Sequence, residues 1–287
     1  MLFRSLGNVG AWGNKDESRI KILKEYADAI WAYNPGAVVI FEHLADLSEE
    51  KVLGEYGIQL WRNMQSTYGQ TAMGWNDGGR STDFSGLYSG TSGMPFGSLV
   101  SYMESHDEER CSYEVVQWGN GDTKTNLDSR MKRLALNAAF FLTVPGPKMI
   151  WQFGEVGYDI SINDPDRTAA KPAHWEYYDD PARGALFDAY SKLISFRRAN
   201  PSFFDDDATF SWKVTKDFWT NRYIHCVDCS GRAFAVVGNF DIKEATVTVP
   251  LPCEGNWAEY EGDAVATNGA EVTLSLAPAE YKLLVNF

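Results

Sequence analysis

The sequence predicts an α/β protein built on a mostly parallel sheet or barrel, followed by a smaller antiparallel β domain. Three observations carry this. Residues 17–200 alternate between helical and strand periodicity, the pattern of a parallel sheet with crossover helices. Two apolar runs, in VIFEHLAD (39–46) and SLVSYMESHDEER (98–110), end in carboxylates and a histidine, and strand ends are where α/β barrels place their chemistry. After about residue 203 short apolar runs alternate with Gly, Pro and Asn instead. The expected domains are therefore 1–202 and 203–287.

Residues 17–33 carry Ile20, Leu23, Ala27, Ile30 and Trp31 at helical spacing, stopped by Asn34-Pro35-Gly36. The run AVVIF (37–41) has the length and β-branched content of a buried parallel strand. A helix is expected at about 48–56, a weaker strand at Thr71–Trp75, and a long loop over 76–97, which is rich in Gly, Ser, Thr and Asp. Leu99–Met103 reads as the next strand, and 126–142 as a helix with Leu134, Ala138 and Phe141 on one face. A strand at Lys148–Phe153, a long loop and a helix at Ala185–Ala199 follow. Four terminal strands are expected at Phe234–Val237, Ala245–Val249, Val272–Leu276 and Tyr281–Val285.

Composition narrows the partners. A formal charge of −13 disfavours nucleic acid and anionic lipid, whose phosphates need a basic surface, and leaves neutral ligands such as sugars. There is no run of 18 apolar residues to span a membrane. The opening MLFRSLGNVGAWG lacks the apolar core of a secretory signal, so a cytoplasmic chain, or one that has lost its leader, is expected. Cys226 and Cys229 have CxxC spacing, but no second pair or His pair completes a zinc site, and a structural role is expected.

Glu42 follows directly on an apolar strand. Partial desolvation there would raise its pKa and suit it to general acid work. Asp107, in Glu-Ser-His-Asp, would stay ionised if solvated or hydrogen-bonded. The plainer reading makes these acids rim charges paired with Arg110 or Lys51; two such strand ends, with His43 and His106, favour a site instead. Trp61, Trp75, Trp118 and Trp175 offer flat faces that suit sugar rings as well as core packing. Lys171, His174 and Arg167 offer hydrogen bonds to hydroxyls, or pin their loop.

With these residues in place the chain resembles the α-amylase family of glycoside hydrolases, its bacterial glucan-degrading members in particular. The matching segments are VGAWGNKDESRI, VVIFEHLAD, YMESHDEER, VPGPKMIWQFGEVGYD and RTAAKPAHWEYYDD, with GNF and PAEYKLL in the terminal β domain. The resemblance implies that Glu42 is the general acid after the fifth barrel strand. It makes Asp107 the transition-state-stabilising aspartate after the seventh, and His106 its substrate-binding neighbour. His43, Trp75 and Lys171 complete the expected substrate-binding set, and no residue is expected to bind a metal. The fold it implies is a partial (β/α)8-type barrel, strands five to eight, with a C-terminal antiparallel β-sandwich.

The family's nucleophile belongs after the fourth strand, in a Gly-x-Arg-x-Asp segment. Phe3-Arg4 echoes it, but Ser5 and Leu6 follow and no aspartate does. The family's extra loop domain and its calcium ligands have no counterpart, although the resemblance itself leaves room for calcium. A retaining mechanism needs two carboxyls about 5–5.5 Å apart. The expected function is hydrolysis of α-1,4-glucans such as starch and maltooligosaccharides. The alternatives are a glucan-binding relative without catalysis, or a fragment that needs a partner chain. Half a barrel leaves strand edges open: either two copies pair as a homodimer, in which Glu155 or Asp159 of one copy could stand where the other lacks its nucleophile, or the long loops and the β domain cover both edges of a monomer.

Overall fold

The computed structural model describes residues 13–287, so the Phe3-Arg4 echo lies outside the described residues. The chain forms two compact units. The first holds the stretch up to Asn63 together with Gly86–Tyr102 and Gly146–Met149. The second holds Met64–Ser85, Met103–Pro145 and Ile150–Phe287.

The first unit opens with helix α1 (Glu17–Tyr33), capped by the Asp16 carboxylate, which accepts from the Ser18 amide at 2.8 Å. Ile20, Leu23 and Ala27 bury one stripe of it, as their spacing predicts, while Ile30 stays 41% exposed. Strand β1 (Ile40–Phe41), helix α2 (Leu47–Glu55), β2 (Gln59–Asn63), β3 (Leu99–Tyr102) and β4 (Lys148–Met149) complete the unit. The four strands form one parallel sheet in the order β1-β2-β3-β4, with Phe41 opposite Leu60, Leu60 opposite Leu99 and Tyr102 opposite Met149. Leu23, Phe41, Leu53, Leu60 and Leu99 are the centre of its core. Gly54 lets α2 press on the turn before β3, since a Cβ there would meet Ser98 at 3.2 Å and Met94 and Pro95 at 3.3 Å.

The second unit begins with α3 (Gln65–Met73), then α4 (Cys111–Trp118), α5 (Leu127–Leu142) and α6 (Pro181–Ala199). Asp180 caps α6, and Pro181 at its first position sets the start four residues before the expected one. Leu134, Ala138 and Phe141 are buried on α5, as read from the sequence. Eight strands follow: β5 (Thr209–Lys213), β6 (Arg222–Val227), β7 (Ala233–Gly238), β8 (Ala245–Pro250), β9 (Trp257–Glu259), β10 (Ala264–Val265), β11 (Glu271–Leu276) and β12 (Tyr281–Val285). They make a six-stranded antiparallel sheet, β10-β9-β12-β7-β6-β5, and a two-stranded one, β11-β8. Ala235, Val237 and Leu284 from the larger sheet share one apolar cluster with Val249, Val272 and Leu276 from the smaller. Among the described residues no helix is long and apolar enough to cross a membrane.

Several local expectations need correction. Thr71–Trp75 is not a strand: residues up to Met73 belong to α3, where Tyr68 and Ala72 bury one face, and Gly74 ends the helix at φ 82°. The expected strand Lys148–Phe153 stops at Met149, because Phe153 takes a left-handed backbone (φ 62°) that opens a short helical turn. In AVVIF only Ile40 and Phe41 pair, and Val38 is 69% exposed at the sheet edge. The loop 76–97 contains two short helical turns, Phe84–Leu87 and Ser89–Ser92. Cys226 and Cys229 are both free: Cys226 is buried at the end of β6, Cys229 exposed in the turn beyond it.

Candidate functional site

Strand β1 ends at Phe41, so Glu42 and His43 are the first residues past the C-terminal edge of the parallel sheet. Glu42 is half-buried. His43 is buried, its Nε2 2.7 Å from Glu49 Oε1. Glu49 also accepts Arg19 Nε and Nη2, at 2.6 and 2.7 Å, and the Asp16 amide at 2.8 Å. Burial opposes the Glu49 carboxylate, but these donors outweigh it and hold its pKa below the ordinary value. Burial pushes the His43 pKa down, with Glu49 opposing. Glu50, beside it, is buried with its pKa pushed up, and Arg62 on β2 pairs with it at 2.9 Å. Neither Glu49 nor Glu50 was singled out from sequence. Both lie in the polar-looking start of α2, and only burial marks them.

β3 runs parallel to β1 with β2 between them, so its C-terminal end, at Tyr102, reaches the same edge of the sheet. The chain then continues into the second unit as Met103-Glu-Ser-His-Asp-Glu-Glu-Arg110. Glu104 is buried and accepts from Arg110 Nη1 at 3.0 Å and from the Cys111 amide, the first of α4, at 2.7 Å. Charge at a helix N-terminus is favourable, so Glu104 anchors the turn. Asp107 is met by Arg167 Nη2, which donates to its carbonyl at 2.6 Å and its Oδ1 at 3.2 Å. The nearest approach of His106 Nε2 to Asp107 Oδ1 is 3.8 Å. Glu109 accepts from Ser161 Oγ, the Ile162 amide and Asn163 Nδ2 at 2.7–2.9 Å, tying down the long loop after β4.

His106 and Lys171 face one cavity of about 260 Å³ in this unit, with Trp151, Tyr158 and Arg167 in its wall. The Lys171 ammonium donates to the carbonyls of Asp164 and Asp166 at 2.7 and 2.6 Å, so it fixes the loop as well as facing the cavity. Trp75 lines a different cavity of the same unit. Asp159 is engaged by Arg183 Nη2 at 2.7 Å and by the Tyr177 hydroxyl at 3.0 Å. Glu155 Oε2, by contrast, is buried with no hydrogen-bond partner among the described residues. The Cys226 thiol is pushed up to about 12 by burial, which leaves it inert.

Glu42 is thus a half-buried acid just past the C-terminal end of a parallel strand, a position from which a carboxyl can give up a proton. The solved structures that the chain matches are α-amylase-family glycoside hydrolases, and it shares their fold. It is similar to an Anoxybacillus α-amylase, with 16% identity and a TM-score of 0.66 over 93% of this chain and 56% of that one. The α-amylase of Geobacillus thermoleovorans, solved with acarbose, is similar at 16% identity and a TM-score of 0.65, covering 93% of this chain and 57% of that one. A pullulanase from Paenibacillus barengoltzii, solved with maltohexaose and α-cyclodextrin, gives 15% identity and a TM-score of 0.67 over 93% and 46%. No family model and no curated protein matches the sequence. The chain thus spans a little over half the length of the α-amylases it resembles, 56% and 57% of them.

Proposed function

We propose that this chain carries the acid half of a retaining α-1,4-glucan hydrolase site, acting on starch or maltooligosaccharides. The observation that supports this most directly is the parallel order of β1, β2 and β3, which sends Glu42 and the Glu-Ser-His-Asp segment out of the same sheet edge. Strands two apart in a sheet lie about 10 Å from each other, a gap that side chains reaching inward can close around a sugar ring. Glu42 protonates the glycosidic oxygen, and Asp107 stabilises the oxocarbenium-like transition state. His106 and Lys171 bind hydroxyls from their shared cavity. His43, with Nε2 committed to Glu49, holds the turn behind Glu42 and has its other ring nitrogen for a hydroxyl. Trp75 offers a sugar-binding face outside that cavity.

In this reading residues 1–202 supply the equivalent of barrel strands five to eight, and 203–287 the β-sandwich. The four parallel strands support the first part, and the shared apolar cluster of the two antiparallel sheets supports the second. The nucleophile comes from a second copy paired along the sheet edge. The exposed ring of Trp75, outside the cavity that His106 faces, suits a second reading, a glucan-binding relative without catalysis. Release of reducing ends from soluble starch decides between them: the hydrolase produces them and Glu42→Gln does not, whereas a binder produces none in either form.

A further inference from the structure

His43 is the residue after Glu42, so its charge bears directly on the proposed acid. The charged groups that act on it are Glu49 on α2 and Arg19 on α1. The Glu49 carboxylate is saturated with donors. Its Oε1 accepts from Arg19 Nε at 2.6 Å and lies 2.7 Å from His43 Nε2. Its Oε2 accepts from Arg19 Nη2 at 2.7 Å and from the Asp16 amide at 2.8 Å. Against its burial, these donors keep the Glu49 pKa below the ordinary value, so the carboxylate has no proton to share. The proton between His43 and Glu49 therefore sits on Nε2. That leaves the ring two states, the neutral Nε2–H tautomer or the imidazolium.

Arg19 decides between them. Its guanidinium is permanently charged and grips Glu49 with two nitrogens. A buried carboxylate is balanced by one cation, and a second would leave net charge out of water. Arg19, His43 and Glu49 are only 1%, 4% and 0% exposed, so water cannot absorb that excess. Burial presses the His43 pKa down, Glu49 opposes, and Arg19 adds to the fall. The charges further out are engaged elsewhere. Lys15 pairs with Glu17 at 2.8 Å and Glu50 with Arg62 at 2.9 Å, while Asp16 and Asp46 cap α1 and α2.

We propose that the Arg19–Glu49 ion pair holds His43 as the neutral Nε2–H tautomer, so that no cation stands beside Glu42. A general acid must hold its proton in the free enzyme, and an imidazolium one residue away would favour its loss. Arg19 and Glu49 are then positioning residues that act on Glu42 through His43. The consequence for Glu42 rests on the hydrolase reading above; the state of His43 rests on the buried contacts alone.

Nitrogen NMR of the imidazoles reads tautomer and charge directly, with His43→Gln assigning the resonances. Wild-type His43 should carry its proton on Nε2 and stay neutral down to about pH 5.5, a unit below an ordinary histidine. In Arg19→Gln the carboxylate lacks its cation, so His43 should take up a proton and be charged at about pH 7. The alkaline limb of the kcat/KM profile on maltoheptaose should then move about one pH unit lower, because the new cation favours ionised Glu42. If Arg19→Gln is unfolded at about pH 7.5, it should fold as the pH drops to about 5.5, where His43 supplies the missing charge. The inference is overturned by a wild-type His43 that is charged at neutral pH or protonated on Nδ1 alone. It is overturned equally by an Arg19→Gln imidazole that stays neutral, or by a variant unfolded at both pH values. An unmoved limb beside a charged His43 overturns the link to Glu42. Absent reducing-end release by the wild type marks failure of the hydrolase reading instead, and the imidazole spectra still decide the state of His43.

Discussion

Arg19 on α1 holds Glu49 on α2 in a two-pronged ion pair, with Nε to Oε1 at 2.6 Å and Nη2 to Oε2 at 2.7 Å, and both side chains are almost wholly buried. Glu49 Oε1 is at the same time the partner of His43, the residue after Glu42. One carboxylate therefore links two helices to the turn that presents the proposed acid. A charge placed this deep is stabilising only while its partners remain, because an unpaired buried ion carries its full desolvation cost.

Glu49→Ala should accordingly destabilise the protein by about 3–5 kcal/mol, since it strands the Arg19 guanidinium. Replacing both partners, as Arg19→Met with Glu49→Leu, should cost much less, because no charge is then left unpaired. Urea midpoints compare the two. A Glu49→Ala protein as stable as the wild type would mean that water or another group satisfies Arg19 in its place.

Stability should fall on mild acidification, and His225 should account for part of it. Burial in the antiparallel sheet pushes its pKa down to about 4 from 6.5, against a smaller opposing effect of the Pro250 backbone. The folded state therefore prefers the neutral ring more strongly than the unfolded chain does. That preference is fully present above pH 6.5 and is lost as pH falls toward 4. The contribution is roughly 3 kcal/mol at most. His43, also lowered by burial, acts in the same direction. Urea melts of wild type and His225→Gln between pH 7.5 and 4.5 check this: the variant should lose less stability across the interval.

Much of the architecture was legible because it depends on periodicity. Ile20, Leu23 and Ala27 mark α1; Leu134, Ala138 and Phe141 mark α5; the alternation in Ala245–Val249 and Val272–Leu276 marks their strands. β2 was invisible because Gln59, Arg62 and Asn63 make it polar, although it lies inside the sheet. Its polarity has a tertiary cause: Arg62 reaches Glu50, and Gln59 Nε2 reaches the Gly97 carbonyl at 3.1 Å. Thr71 was misleading for the opposite reason, a β-branched residue whose hydroxyl is absorbed by the Thr67 and Tyr68 carbonyls within a helix. Of the proposed site residues, Glu42, His106 and Asp107 were picked out by their places after apolar runs. Glu49 was not, and Glu109 stood out only as a strand-end acid, because the partners that give them their roles lie 30 and 53 residues away.

Glu42→Gln should lower turnover on starch by about 10²–10⁴-fold with little change in KM, as expected when a general acid is removed. Asp107→Asn should also reduce kcat, since it removes the charge facing the transition state. Arg167→Ala should have a smaller effect through the loss of its bonds to Asp107. Initial rates on maltoheptaose separate the three. Wild-type turnover in Glu42→Gln would remove the assignment of the acid.

The last prediction concerns association. β1 and β4 are the outer strands of the four-stranded parallel sheet, and each pairs over only two residues. Val38 and Ile40, on and beside β1, are 69% and 44% exposed, an apolar edge that a second copy can cover. Two-fold pairing is the commonest way for identical chains to do so. Light scattering should then show a dimer at micromolar concentration, and Ile40→Lys should return it to monomer. Of the two acids beyond β4, Asp159 is already held by Arg183 and Tyr177, whereas Glu155 has a buried oxygen without a partner among the described residues. Glu155 is thus the better candidate to complete a neighbour's site. Glu155→Gln should abolish activity, while Asp159→Asn should mainly weaken the fold. Mixing inactive Glu42→Gln with inactive Glu155→Gln chains should restore about a quarter of the wild-type activity, because half of randomly paired dimers then contain one intact hybrid site. No recovery on mixing would exclude the hybrid site, and a stable monomer would exclude the dimer itself.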